Sequence, residues 1–551
     1  MDTIIEPREG RFVTWVIAII LTLTTLPYAY AWFSAPADQQ FIGFILNSSD
    51  HAQYLSWYKA FQSQALISNL QTSEPNPPVF FNLLWWGLAQ IGRISGLDYT
   101  IVYQMFRWIS GTFFLSMTYA FIALFFSSIT QRRIAFLLIA SGAGFGWVLV
   151  VLKYALRQPD VMFSADLYVA EGNSFLCILG YPHFSEAAGL ILAVIALLLL
   201  GERRGQLRYA VYAGLTALFL GWQHGYDLLI VWIVPTAYAG VLWLITRRWP
   251  QYWFKAMLIT GLISWPPALY SVLLTQLNPI WKQVLAQFTN AGVYSPDLLH
   301  SLILMGAPLL FALTTFVLLL RDGLRGGKPE RIQQNLFLMT WLIVGWVLIY
   351  IPTDFQIHMI NSWQVPISML AALGLSGYFI PEIKQRWPNL KIRHILTAVA
   401  VFCALTNLYL FAWRFLDLSR YQYPYYLYRD EIAAMEWLEK NTPADSVVFS
   451  SYDVGRYIPG LSGRIGFLSH WAQTVDFFNK RDLAARYYGG QLNEAEIRQA
   501  LQNYGIDYLF YGPAERALAS QASGSQDPIQ NNFLILRYSS AKVQIYQVQL
   551  P

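Results

Sequence analysis

From residue 14 onward the chain alternates long apolar runs with short polar connections. The first run is TWVIAIILTLTTLPYAYAWF (14–33). Others recur near 103–127, 134–152, 184–201, 208–223, 227–246, 252–275, 300–320, 333–351, 363–381 and 394–414. Most hold about 20 residues, enough for a helix to cross a ~30 Å hydrocarbon core. A shorter apolar segment near 78–92, PPVFFNLLWWGLAQIG, is opened by two prolines and reads as a juxtamembrane or re-entrant helix. Before it, apolar residues recur at Tyr54, Leu55, Tyr58, Phe61, Ala65, Leu66 and Leu70, with a Gln/Ser/Lys face opposite. That spacing predicts a helix lying in the membrane interface. From about 416 the pattern changes. RDEIAAMEWLEK and NEAEIRQALQNYG read as helices, and SVVFSS, RIGFLS and DYLFYG as strands. FLILRYSS and KVQIYQVQL read as a closing hairpin. The expected fold is a polytopic α-helical membrane protein of about eleven spans, residues 1–415, followed by an α/β domain over 416–551.

Composition agrees. Of the 551 residues, 56% are hydrophobic and 13% charged, about half the charge of a soluble domain. The net charge of +5 matters less than where the basic residues fall. They cluster at Arg8/Arg11, Arg132/Arg133, Arg203/Arg204/Arg208, Arg247/Arg248, Arg321–Arg331 and Lys384–Arg393. Placing these clusters on the cytoplasmic side separates them by pairs of spans, puts the N-terminus inside and leaves the C-terminal domain extracytoplasmic. The run after Met1–Arg11 is too long for a signal-peptide core, so it is expected to remain as the first span. Two cysteines, Cys177 and Cys403, imply neither a disulfide framework nor a Cys-rich metal site. Short loops and the absence of a retention signal point to a prokaryotic cell membrane.

With that orientation the acidic and histidine residues gather at outer boundaries. The first loop holds Asp50, His51 and Glu74, and the second Asp160, Asp166, Glu171, His183 and Glu186. His224 with Asp227, Asp297 with His300, and Asp354 with His358 follow. His394 and His470 fall outside this set. Ionisable groups at membrane depth are costly and usually functional, although a lone Asp at a helix start can simply cap it.

The first loop runs in a set order: span, Asp50, surface helix, Asn76-Pro77-Pro78, second helix, then Arg107 near the head of a long span. This order resembles the GT-C superfamily of membrane glycosyltransferases, which includes protein O-mannosyltransferases and aminoarabinose transferases. In those families a carboxylate opens the first outer loop, a Pro-Pro element follows, and an Arg begins the next span. Here the usual Asp-Glu pair is Asp50-His51, and the residue before Pro-Pro is Asn76.

The resemblance implies transfer of a sugar from a polyprenyl-phosphate-linked donor to a lipid, glycan or protein acceptor, among membrane lipids and with no nucleic acid partner. Asp50 would be the general base. The phosphate leaving group would need a divalent metal ion (Mg or Mn) or fixed cationic donors. Asp166 and Glu171 are the expected metal ligands, with Asp160 as an alternate. His51, Arg107, His183, His224 and His358 are the expected substrate contacts. No Gly-rich phosphate loop is visible, which fits a donor that arrives lipid-linked. Two other readings compete. A transporter of lipid-linked glycans should show internal repeats and broken helices. A non-catalytic glycan-binding scaffold would leave Asp50 unexplained.

Overall fold

The computed structural model describes residues 5–158, 160–161, 164–287, 295–324, 329–521 and 527–550. Parts of the outer loop 158–187, of the basic segment 321–331 and of the polar loop 517–532 lie outside them. Among the described residues, nine helices are long and apolar enough to cross a membrane. They are Pro7–Ser34, Tyr99–Phe125, Ile129–Ala155, Pro182–Arg204, Gly225–Thr246, Gln251–Leu277, Leu298–Gly323, Gln356–Arg386 and Ile392–Leu418. Two shorter helices, Arg208–Gly221 and Ile332–Leu348, occupy the remaining two apolar runs. Helix therefore occupies each of the eleven runs read from the pattern, and the protein is a multi-pass membrane protein.

The chain divides into two compact units. One comprises residues 1–27, 105–271 and 294–415, and the other 28–104, 272–293 and 416–551. The C-terminal segment thus begins where the apolar pattern ends, but it shares its unit with the first loop.

In the first unit, the Ile129–Ala155 span is interrupted after Ser141 and restarts at Gly146. The sequence there is GAGFG, which cannot hold a regular helix against competing contacts. Three of the freed N–H groups find partners within the same unit. Ala143 N donates to the Cys403 carbonyl (2.8 Å), Phe145 N to the Ile303 carbonyl (2.7 Å) and Gly146 N to Asp166 Oδ2 (2.9 Å). Non-helical backbone at membrane depth requires this kind of internal satisfaction.

In the second unit, five strands form a sheet in the order β4-β3-β5-β7-β6, where β3 is Val447–Phe449, β4 Ile465–Gly466, β5 Tyr508–Tyr511, β6 Leu534–Ser539 and β7 Gln544–Val548. β3 pairs in parallel with β4 and β5, and β7 runs antiparallel to β5 and β6. These strands lie where the apolar alternation places them. The period of two sends Val448, Phe510 and Ile545 to one face and Phe449, Leu509 and Tyr546 to the other. The first face packs against Met435 and Leu438 of helix Arg429–Asn441, and also against Ile42, Phe44 and Ala52 of the first loop. A further antiparallel pair joins β1, Gln39–Phe41, to β2, Tyr426–Tyr428.

The first-loop helices differ from expectation in two respects. Helix Ser48–Phe61 is not an interfacial helix. Its Leu55, Tyr58 and Phe61 are buried by protein, as are His51, Ala52 and Gln53. It packs on the short helix Ile458–Ser462, so closely that a Cβ added at Gly460 would lie 2.6 Å from Leu55 Cγ. The second helix starts at Leu83 rather than at the prolines, because Asn82 caps it by accepting from Trp85 N (3.2 Å). At 13 residues it is too short to cross a bilayer.

Candidate active site

Asp50 sits in the first turn of helix Ser48–Phe61, where the helix dipole favours a carboxylate. It is not the N-cap. That position belongs to Asn47, held in a left-handed conformation (φ 35°), whose Nδ2 donates to Asp50 Oδ2 at 2.6 Å. The other oxygen, Oδ1, lies 3.0 Å from His470 Nε2. The Asp50 side chain is 25% exposed, whereas that of His470 is 3% exposed.

The two residues before Asp50 are tied to the same C-terminal stretch. Arg456 donates to Ser48 Oγ (2.8 Å), and Ser49 Oγ lies 2.8 Å from Tyr452 Oη. Three consecutive residues of the first loop thus each bind a different residue of the segment 452–470. The Gly-rich stretch 451–464 is accordingly a structural element. Its Arg456 also pairs with Asp453 (3.0 Å), and its Arg464 donates to Thr442 Oγ1 (2.8 Å) and the Thr442 carbonyl (2.7 Å).

His51 points away from Asp50 into an aromatic enclosure. It is fully buried, stacked on Phe44 at 5.2 Å with Tyr103 edge-on at 5.3 Å, and it presents no open face to a substrate. Glu74 is paired with the buried Lys480 at 2.8 Å. Asn76 closes the turn ahead of the prolines by accepting from Asn69 N (2.6 Å) and donating to the Asn69 carbonyl (3.1 Å). Lys59, Asn69, Glu74, Asn76, Arg464 and Asp507 are among the residues lining a cavity of about 1040 Å³ in this unit.

In the other unit, three of the expected substrate residues come together. The rings of His183 and His224 lie 5.3 Å apart, and Phe184 packs on both His224 and His358. His358 Nδ1 hydrogen-bonds Glu171, and its ring stacks on Tyr226 at 5.1 Å. His224 lies 3.4 Å from Asp227, which also accepts from Asn361 Nδ2 at 3.1 Å. Arg107 is fully buried elsewhere in that unit, donating to Thr24 Oγ1 (3.0 Å), Thr25 Oγ1 (2.7 Å) and the Ile178 carbonyl (3.4 Å).

Asp166 and Glu171 do not fit the expected metal pair. Asp166 caps the restarted helix through Gly146 N, and its carboxylate would touch a Cβ at either Gly144 or Gly146. Burial pushes its pKa up to about 6, against hydrogen bonds from Ser164 and Gly146 that lower it. Glu171 is engaged by His358 instead. Among the described residues no three His, Cys, Asp or Glu side chains are gathered to hold a metal ion.

His470 was not legible as a partner of Asp50. The two are 420 residues apart, and SHWAQT carries no spacing motif that links it to the first loop.

No protein-family model and no curated protein matches the chain. Solved structures match it over nearly its whole length. The Archaeoglobus fulgidus oligosaccharyltransferase tethered to an acceptor peptide with the NVT sequon aligns with a TM-score of 0.53 at 14% identity, over 98% of this chain and 74% of that one. ArnT from Cupriavidus metallidurans bound to undecaprenyl phosphate aligns with a TM-score of 0.51 at 12% identity, over 97% and 98%. The chain has the GT-C fold. A third GT-C structure, the arabinofuranosyltransferase AftD from Mycobacteria, gives a TM-score of 0.53 at 13% identity, over 98% of this chain and 42% of that one. The archaeal enzyme has also been solved in complex with Zn and sulfate. At these identities the GT-C likeness is one of fold.

Proposed function

We propose that the chain is an integral-membrane glycosyltransferase, moving a sugar from a polyprenyl-phosphate-linked donor to an extracytoplasmic acceptor, with the N-terminus cytoplasmic and the C-terminal domain outside. The observation that carries the reading is the state of Asp50. On a GT-C fold, the first-loop carboxylate is partly exposed and fixed at both oxygens by side chains, Asn47 at 2.6 Å and His470 at 3.0 Å. A general base needs an open carboxylate held at hydrogen-bond reach of the proton it takes.

In the proposed step the acceptor oxygen attacks the anomeric carbon while Asp50 takes the acceptor's proton. The bond from that carbon to the phosphate oxygen breaks, and the polyprenyl phosphate leaves with the electron pair. Donors aimed at the departing phosphate would lower the barrier. A divalent metal ion or fixed cationic side chains would serve in that role. ArnT has been solved with undecaprenyl phosphate, which supports a polyprenyl carrier here.

The test is sugar release from a panel of polyprenyl-phosphate sugars by membranes carrying the wild type or Asp50→Asn. The variant keeps the size and polarity of Asp50 and removes the base. Consumption of one donor by the wild type alone, at equal insertion, supports the reading. Equal behaviour of the two sinks it.

A further inference from the structure

The contacts of His470 decide which of its nitrogens carries the proton. Two backbone N–H groups point at Nδ1: Ala472 N at 3.0 Å and Gln473 N at 3.2 Å. A nitrogen that accepts from two donors holds a lone pair and no hydrogen. The proton of the neutral ring is therefore on Nε2, which faces Asp50 Oδ1 at 3.0 Å.

The turn that imposes this is itself held firmly. Thr474 Oγ1 accepts from Ser469 N and His470 N, both at 3.0 Å, and donates to the Gln71 carbonyl at 2.6 Å. Gln287 Nε2 donates to the carbonyls of Ala472 (2.8 Å) and Thr474 (2.9 Å). Gln473 offers its carbonyl to Asn69 Nδ2 at 2.9 Å. Segments from three parts of the chain thus fix one imidazole, and the imidazole meets one carboxylate.

We infer that His470 is the positioning residue of Asp50: the turn 470–474 locks it as the neutral Nε2–H form, and that N–H orients the carboxylate without cancelling its charge. With Oδ1 bonded to His470 and Oδ2 to Asn47, the carboxylate still has lone pairs for an acceptor proton. The inference rests on the glycosyl-transfer reading for its functional half and on geometry alone for its tautomer half.

Two substitutions separate aiming from stapling. His470→Asn keeps an acceptor near the Nδ1 position, so the turn survives, but it lacks the donor to Asp50. His470→Gln places an amide N–H near the Nε2 position and restores that donor. If His470 positions Asp50, His470→Asn loses roughly 10- to 100-fold in kcat, the range for groups that orient a working ligand, with KM little changed, and His470→Gln regains most of it. If His470 only staples the turn, His470→Asn keeps full kcat at wild-type thermal stability, and the inference falls. The tautomer is read separately, by 15N NMR of the full-length protein labelled at histidine. The expected signal is an Nε2-protonated neutral ring at pH 7 that is missing in His470→Gln. An Nδ1–H or doubly protonated ring at that position overturns the inference even if transfer is seen. A wild type that consumes no polyprenyl-phosphate sugar fails the functional reading and leaves the tautomer result standing.

Discussion

Asp50 and Asp166 are both loop carboxylates at the edge of apolar helices, and the chain offers them as equals. Their surroundings differ in kind. Asp50 is a quarter exposed and is held by two side chains, one of them brought from 420 residues away. Asp166 is fully enclosed, accepts from the backbone of Gly146, and is raised to about pH 6 by burial. The first is partly open, as the proposed base has to be. The second completes a broken helix. Chemistry needs a carboxylate that is fixed yet reachable, and a helix break needs one that is fixed and sealed.

The strongest way to break this contrast is Asp50→Asn, which should lower transfer by roughly 10²- to 10⁴-fold, the contribution of a general base, with an unchanged melting temperature. A variant that melts early but still transfers would make Asp50 the structural member of the pair. His358→Phe comes next. It removes the partner of Glu171 but keeps an aromatic ring beside Tyr226 and Phe184. If the histidine cluster takes part in transfer, turnover should fall by roughly 10²-fold, as for loss of one fixed donor. Unchanged turnover would confine the chemistry to Asp50.

Asp166→Asn sharpens the comparison through pH. The folded pKa, about 6, lies above the ordinary 3.8. The stabilisation from Asp166 is therefore complete below about pH 4 and is lost as pH rises through 6. Asn does not titrate, so the variant should gain stability relative to wild type between pH 4 and 7, by ~3 kcal/mol from a shift of about two units. Melting curves at the two pH values measure this, and a difference that does not move with pH would mean the carboxylate is matched by a cation. The smallest effect is expected from Gly460→Ala. Its new methyl would meet Leu55 on the Asp50 helix at 2.6 Å, which should cost about 1–3 kcal/mol of stability. A larger loss in turnover than in melting temperature would show that the position of this helix sets the position of the base.

The strands and helices after residue 416 could be read from the sequence because burial on both sheet faces imposes short apolar runs, as in Val447–Phe449 and Tyr508–Tyr511, bounded by polar and glycine residues. The membrane helices were equally legible, since length and hydropathy decide them locally. The helix after Asp50 was misread for a physical reason. Tyr54, Leu55, Tyr58 and Phe61 have the same spacing whether lipid or protein covers them, and here Gly460 and the 458–462 helix do. The expected Asp166–Glu171 metal pair was drawn from charge type, which does not reveal that the Gly146 backbone lies within reach of Asp166. His470 was missed because its meaning lies in a contact with a residue at the other end of the chain.

That contact also sets a schedule. A ribosome adding roughly 5–20 residues per second finishes Asp50 some 20–80 s before it reaches His470, and Tyr452 and Arg456 arrive only slightly earlier. Through that interval the first loop is complete in sequence yet has nothing to close on, with Ile42, Phe44 and Ala52 still lacking the sheet they help to cover. Asp50 is thus made long before its distant partner, so a chain stopped anywhere short of residue 470 would carry the carboxylate with Asn47 beside it but without His470.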